Sequence, residues 1–226
     1  MSPDIEIIGD GCAALSLAAR ASELNHNIRL IKPSNAPKTN DHVWGFWSDP
    51  ILADAQQLAR ATWQKWAIIT DNDCAVLSSE TRPYNAFKRS DWSEHCKGLA
   101  ELSKVTIVAE HEWEKSADSL LFDTRPPVVP NDCMLQHFQG IEVKTKQPCF
   151  DKDMAILMDF RVDQSKGMHF IYLLPYSTTE ALVESTLFST ELVDEEFYSS
   201  SIESYLKDHC KVEEFSITHQ EKGVIP

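Results

Sequence analysis

Ile5-Glu6-Ile7-Ile8-Gly9-Asp10-Gly11-Cys12-Ala13-Ala14 is the stretch that decides the fold. Ile5 to Ile8 reads as a short buried strand, and Gly9-Asp10-Gly11 as the turn that leaves it. From Cys12 to Leu24 apolar residues recur at helical spacing (Leu15, Ala18, Ala19, Ala21, Leu24), and Asn25-His26-Asn27 ends the run. Ile28 to Ile31 is a second strand, closed by Pro33. A strand, a glycine turn, a helix and a second strand within about thirty residues open a dinucleotide-binding fold.

Gly9, Gly11 and Ala14 occupy the three small-residue positions of the G-x-G-x-x-G/A frame. The first glycine permits the tight turn. The second lets the backbone approach a pyrophosphate, and the third position needs a small residue for helix–strand packing. A nucleotide-binding turn and a plain strand-to-helix turn both fit this pattern. Asp10 puts a negative charge close to the phosphate position. The second strand ends in Lys32, where an acid normally accepts hydrogen bonds from the adenosine ribose. Lysine has no acceptor, which leaves weaker cofactor binding, lost function, or another residue taking over, with Asp41 as the candidate; Lys32 itself fits a phosphate contact or a plain surface position.

The chain has 226 residues and a formal net charge of −14, which speaks against nucleic-acid binding. Its six cysteines lack CxxC or other metal-ligand spacing, so free thiols in a reducing cytoplasm are expected and no metal. The N-terminus runs into an apolar strand with no signal peptide, and no apolar run approaches the ~20 residues of a membrane span.

Further along, 34–50 reads as a polar loop carrying the aromatic cluster His42-Val43-Trp44-Gly45-Phe46-Trp47. Residues 51–62 read as helix, and 67–70 with 73–77 as a hairpin turning at Asp71-Asn72. Ser90 is the expected N-cap of a helix over 91–102. Strands follow near 105–108 and 119–123, the latter stopped by Pro126-Pro127. Beyond Leu135 strand patterns recur near 141–146, 155–162, 168–174 and 180–188. A helix over 194–209, with Phe197, Ile202, Tyr205 and Leu206 inward, and a strand over 212–218 complete the chain. The expected fold class is α/β. A Rossmann-like dinucleotide-binding domain over 1–134 is followed by an antiparallel sheet with one helix over 135–226.

Several blocks, in order, resemble the flavin-dependent lycopene cyclases of carotenoid biosynthesis. These are Gly9 to Ala18, Asp41 to Trp47, Phe122 to Pro127, Leu135 to Val143, Leu157 to Arg161, Phe170 to Pro175, Leu182 to Thr186 and Glu221 to Pro226. The resemblance implies a redox-neutral, acid/base cyclisation of the ψ-end of lycopene to a β-ionone ring by an intramolecular lyase. It implies reduced FAD as cofactor, with NAD(P)H as electron source. Leu182-Val183-Glu184-Ser185-Thr186 aligns with the family's F-L-E-E-T motif, which makes Glu184 the catalytic candidate. Ser185 replaces the motif's second acid. Without the resemblance, Glu184 also fits the solvent face of a strand, together with Leu182 and Thr186. Trp44, Phe46 and Trp47 are candidates to line a polyene tunnel, or else pack a core. His42 and His137 read as structural hydrogen-bonders, and Asp159 with Arg161 as a structural ion pair.

The implied substrate, lycopene, comes from the membrane. A cytoplasmic protein in peripheral membrane contact is therefore expected, and the sequence is silent on oligomeric state. Family members run longer, so the chain reads as an N-terminal fragment. Another FAD-dependent oxidoreductase or hydroxylase of the same fold, or a non-catalytic truncated piece, remains the alternative.

Overall fold

Alternating apolar runs and helical segments place four strands side by side in the first of two compact units, formed by residues 1–41 and 88–128. The structure, a computed structural model, describes residues 4–35, 41–126, 128, 130 and 132–226. Strands β1 (Ile5–Ile8), β2 (Ile28–Lys32), β8 (Thr106–Ala109) and β9 (Leu120–Asp123) form a sheet in the order β8-β2-β1-β9. All its pairings are parallel. β1 is buried along its whole length, as parallel strands covered on both faces are. The expected single helix is broken at Arg20 into α1 (Cys12–Ala19) and α2 (Ala21–Leu24), and Asn25 ends it in the left-handed region at φ +53°.

Helix α4 (Arg89–Leu102) begins before the expected cap. Ser90 lies inside its first turn rather than capping it. Its N–H and its hydroxyl both donate to Asp41, at 2.9 and 2.8 Å. Asp41 is thereby committed to the start of α4, and both its oxygens are occupied.

The second unit comprises residues 42–87 and 129–226. A single cut at residue 134 therefore does not describe the chain. The reason is pairing: β5 (Lys65–Ile69) lies parallel to β11 (Met154–Asp159), drawing the 42–87 segment onto the later sheet. That sheet has the order β14-β10-β13-β12-β11-β5-β6, with β6 (Cys74–Ser78), β10 (Leu135–Thr145), β12 (Met168–Pro175), β13 (Glu180–Ser189) and β14 (Phe215–Ile225). Every other pairing in it is antiparallel. A smaller sheet, β3-β7-β4, is made of β3 (Val43–Trp47), β4 (Ala61–Trp63) and β7 (Tyr84–Lys88). The aromatic cluster expected in a loop is thus strand β3. The helix expected over 51–62 is only α3 (Ala53–Gln57) after a 3-10 turn. The stop at Pro127 falls outside the described residues.

Side-chain alternation gives the large sheet two apolar faces. On one, Ile141, Val143, Ile171, Leu173 and Val183 pack against Ile202, Tyr205 and Leu206 of α5 (Glu195–Asp208). Each such buried side chain contributes about 1.5–3 kcal/mol. Tyr198 is buried on this helix, whereas Phe197 is only half-buried. On the other face, Leu174 and Leu182 pack with Trp63 and Ala86 of the small sheet. Glu184 belongs to this second face.

Candidate active site: two glutamates across a glycine

Register across three strands assembles the site. Gly140 of β10 is paired with Glu184 of β13 on one side and with Glu221 of β14 on the other. Cross-strand partners point to the same face, so both glutamates stand above the one residue that has no side chain. A Cβ at Gly140 would lie 3.1 Å from Glu221 Cγ and 3.3 Å from Glu184 Cβ. The glycine leaves the space between the two carboxyls open, and the charge of Glu184 acts directly on Glu221.

Both glutamates are buried, at 9% and 2% exposure. The Thr186 hydroxyl donates to Glu184 Oε1 at 2.7 Å, and the Val43 N–H donates to Glu221 Oε2 at 2.8 Å. Glu221 Oε1 is buried and, among the described residues, has no donor. Burial pushes Glu184 well above the ordinary carboxylate range. Burial, then the charge of Glu184, does the same to Glu221.

Phenols surround the pair. Burial raises Tyr84 and Tyr172, and the charge of Glu184 adds to it. Tyr176 is raised chiefly by burial, and the Arg60 guanidinium lies 3.8 Å from its ring centroid. Arg60 is itself paired with Glu142. Gly45 makes room for Tyr84, since a Cβ there would fall 1.8 Å from the Tyr84 oxygen.

The buried Glu6 of β1 shows the opposite outcome. Its burial is outweighed by bonds from Ser119 (2.6 Å), Trp113 Nε1 (3.0 Å) and the Ser116 N–H (3.1 Å), and by Arg29. Its carboxyl therefore stays below the ordinary range. Four donors outweigh burial at Glu6, whereas the single donor at each of Glu184 and Glu221 does not.

Alternation also sends Ser185 to the far face, where its hydroxyl meets His169 Nε2 at 2.8 Å in a fully buried network. The position after Glu184 therefore cannot place a second acid beside it. Glu221 supplies that acid from another strand. Sequence reasoning misses this residue, although its block was in view, because β14 lies some eighty positions from its partner β10.

The three aromatic candidates do not share a face. Trp44 and Phe46 meet Phe87, at 6.1 and 5.2 Å between ring centroids, whereas Trp47 meets Trp66 and Tyr84 at 4.4 and 4.9 Å. One continuous wall built from all three is excluded by strand alternation. His137 bonds Tyr198 and Ser189, and Asp159 bonds Arg161 and Tyr205, so both are structural as expected.

In the first unit, Gly9, Gly11, Lys32, Lys97, Thr124 and Arg125 are among the residues lining a cavity of about 1180 Å³. Gly9 has φ +138°, and a Cβ there would lie 2.1 Å from Thr124 Oγ1. A Cβ at Gly11 would meet nothing within 4 Å, so the backbone is open at the start of α1. Ala14 is fully buried against the strand. These features fit the pyrophosphate of FAD at a helix N-terminus. The ribose position fits less well: Lys32 ends β2, and Asp41 is engaged with Ser90.

The family model for lycopene cyclase protein matches residues 4–226. The chain belongs to the lycopene cyclase family. A lycopene beta-cyclase of Paracoccus sp. (strain N81106 / MBIC 01143) is 32% identical over 207 residues, covering 84% of this cyclase-family chain. The chain spans 52% of that enzyme's length. A geranylgeranyl bacteriochlorophyll reductase-like protein from Thermoplasma acidophilum superposes with a TM-score of 0.67 at 11% identity, over 99% of this chain and 66% of its own. The flavin-dependent brominase Bmp2 gives 0.60 at 12% identity, over 98% and 67%. These structures show that this lycopene cyclase family member has the FAD-binding fold.

Proposed function

We propose that this chain carries the acid–base centre of a lycopene β-cyclase, with Glu184 as the acid. The observation that supports it is a buried carboxyl pushed well above the ordinary carboxylate range, at the position the family's motif assigns to its required glutamate. Protonation of the terminal double bond of the ψ-end gives a carbocation. Attack by an internal double bond closes a six-membered ring, and loss of a proton leaves the β-ionone ring. No net electrons move. Glu184 contributes a desolvated proton first, then a carboxylate facing the cation. Tyr172 and Tyr84 add π-faces and exclude water.

Reduced FAD, with NAD(P)H as the electron source, supplies negative charge to the cation when bound. Gly9, Gly11 and Ala14 are the residues that would hold its pyrophosphate. The substrate is insoluble in water, which argues for peripheral contact with the membrane that holds it. Among the described residues no helix is long and apolar enough to cross a membrane.

The test is expression of the parent-length reading frame in lycopene-accumulating cells, with pigments separated chromatographically. Cyclised product is expected from the parent. Glu184→Ala producing it at the parent rate refutes the assignment.

A further inference from the structure

We propose that Glu184 and Glu221 form one acid pair sharing a single proton, with Glu221 as the positioning residue that keeps the proton in the pair. This rests on the reading of Glu184 as the acid. Each carboxyl has one fixed outer oxygen, Glu184 Oε1 under Thr186 and Glu221 Oε2 under the Val43 N–H. Both side chains rise from the two positions that flank Gly140, and the glycine leaves the space between them free of any side chain. With both ionised, Glu221 Oε1 is a buried charged acceptor with no donor among the described residues. A proton between the carboxyls is the donor that satisfies it.

The groups facing the pair do not replace that proton. Tyr172, from β12, Tyr84, from β7, and Tyr176 are held neutral by burial. Glu142, from β10, adds a like charge and is matched by Arg60. His219, from β14, lies 3.8 Å from Glu221 Oε2, beside the oxygen already bonded to Val43. Thr186 is an uncharged donor. Apart from His219, the nearby cation is spent on Glu142.

The chemistry balances with one proton. The pair carries a charge of −1 when it holds the proton. Transfer breaks an O–H bond and forms a C–H bond at the polyene, leaving −2 on the pair opposite the new carbocation. Loss of a ring proton re-forms the O–H bond and the double bond, and the pair returns to −1. A second carboxylate beside the first raises the basicity that recovers the proton. The two titration steps belong to the pair rather than to either residue.

The experiment is a carbon-13 NMR titration of glutamate side-chain carboxyls in the 226-residue chain, from pH 4 to 9, with Glu184→Gln and Glu221→Gln used for assignment. Wild type is expected to show two carboxyls titrating in the neutral range. Glu221→Gln is expected to collapse them to one step, at least tenfold weaker in proton affinity, because Gln removes the like charge and adds an amide donor. If every wild-type glutamate is ionised by pH 6, the proposal fails whether or not the variants fold. An unchanged Glu184 midpoint in Glu221→Gln also overturns it. In cells, Glu221→Gln is expected to move the alkaline limb of cyclisation downward. Cyclisation by Glu184→Gln at the parent rate, alongside an intact paired titration, refutes the proposed function and leaves the pair standing.

Discussion

Glu184→Gln is expected to stabilise the second unit at alkaline pH. Gln keeps the shape, and its amide oxygen still accepts from Thr186. The wild-type carboxyl is pushed up from 4.5 to about 7, chiefly by burial. Its folded value therefore lies above its unfolded one, which sets the sign. Near pH 4 both states are protonated and the acid costs nothing. As pH rises through 4.5 the unfolded chain ionises first, and folding loses stability until the folded pair also ionises in the neutral range. At about 1.36 kcal/mol per pH unit, the loss levels off at about 3 kcal/mol by pH 8. Glu184→Gln removes this cost, and also relieves Glu221 of a like charge. For a chain of this size that corresponds to a rise in Tm on the order of 10 °C at pH 8, and none near pH 4. Urea titrations of both proteins at half-unit pH steps measure the difference directly. A stability difference that is flat with pH, or that grows toward acid, refutes the reasoning that burial keeps this carboxyl neutral.

Gly140→Ala is expected to cost about 1–3 kcal/mol, because its methyl meets Glu221 Cγ at 3.1 Å and Leu182 Cδ1 at 3.3 Å; denaturant midpoints read it. Lys32→Glu places an acceptor at the end of β2 and is expected to tighten FAD binding about tenfold, followed by flavin fluorescence quenching; unchanged affinity puts the ribose elsewhere. Glu6→Ala strands the donors of Trp113, Ser116, Ser119 and Arg29, and is expected to destabilise the first unit by roughly 3 kcal/mol. Because Glu6 is held below its unfolded value, that contribution is present above about pH 4.5 and lost as pH falls through the folded value, so acid unfolding curves of the two proteins should converge.

Local chemistry was legible in the sequence. Ile5–Ile8, the glycine turn and Ile28–Lys32 fall where short-range pattern puts them, and so does the hairpin at Asp71-Asn72, with Ile69 opposite Cys74. Helix α5 (Glu195–Asp208) follows from its apolar stripe, one residue apart on a single inner position, Tyr198 rather than Phe197. Long-range pairing was not legible. Val43–Trp47 resembled a loop because Gly45 and polar neighbours mask the alternation, yet β7 recruits it as a strand. Ser90 looked like a cap because the partner that actually caps it, Asp41, is far away in the chain. Glu184 was visible as a motif position. Its partner Glu221 was not, since only the register of β13, β10 and β14 brings them together.

Among the described residues, β14 stands at one end of its sheet, beside β10. Half of the acid pair is therefore mounted on an edge. Strand edges open more readily than central strands. Were β14 to open near Glu221, the Val43 bond would break, the carboxyls would part and Glu184 would revert toward an ordinary exposed acid. Proton affinity in this protein is thus tied to the seating of one strand. On the proposed function, whatever presses β14 against β10 would throttle the chemistry without touching either carboxyl.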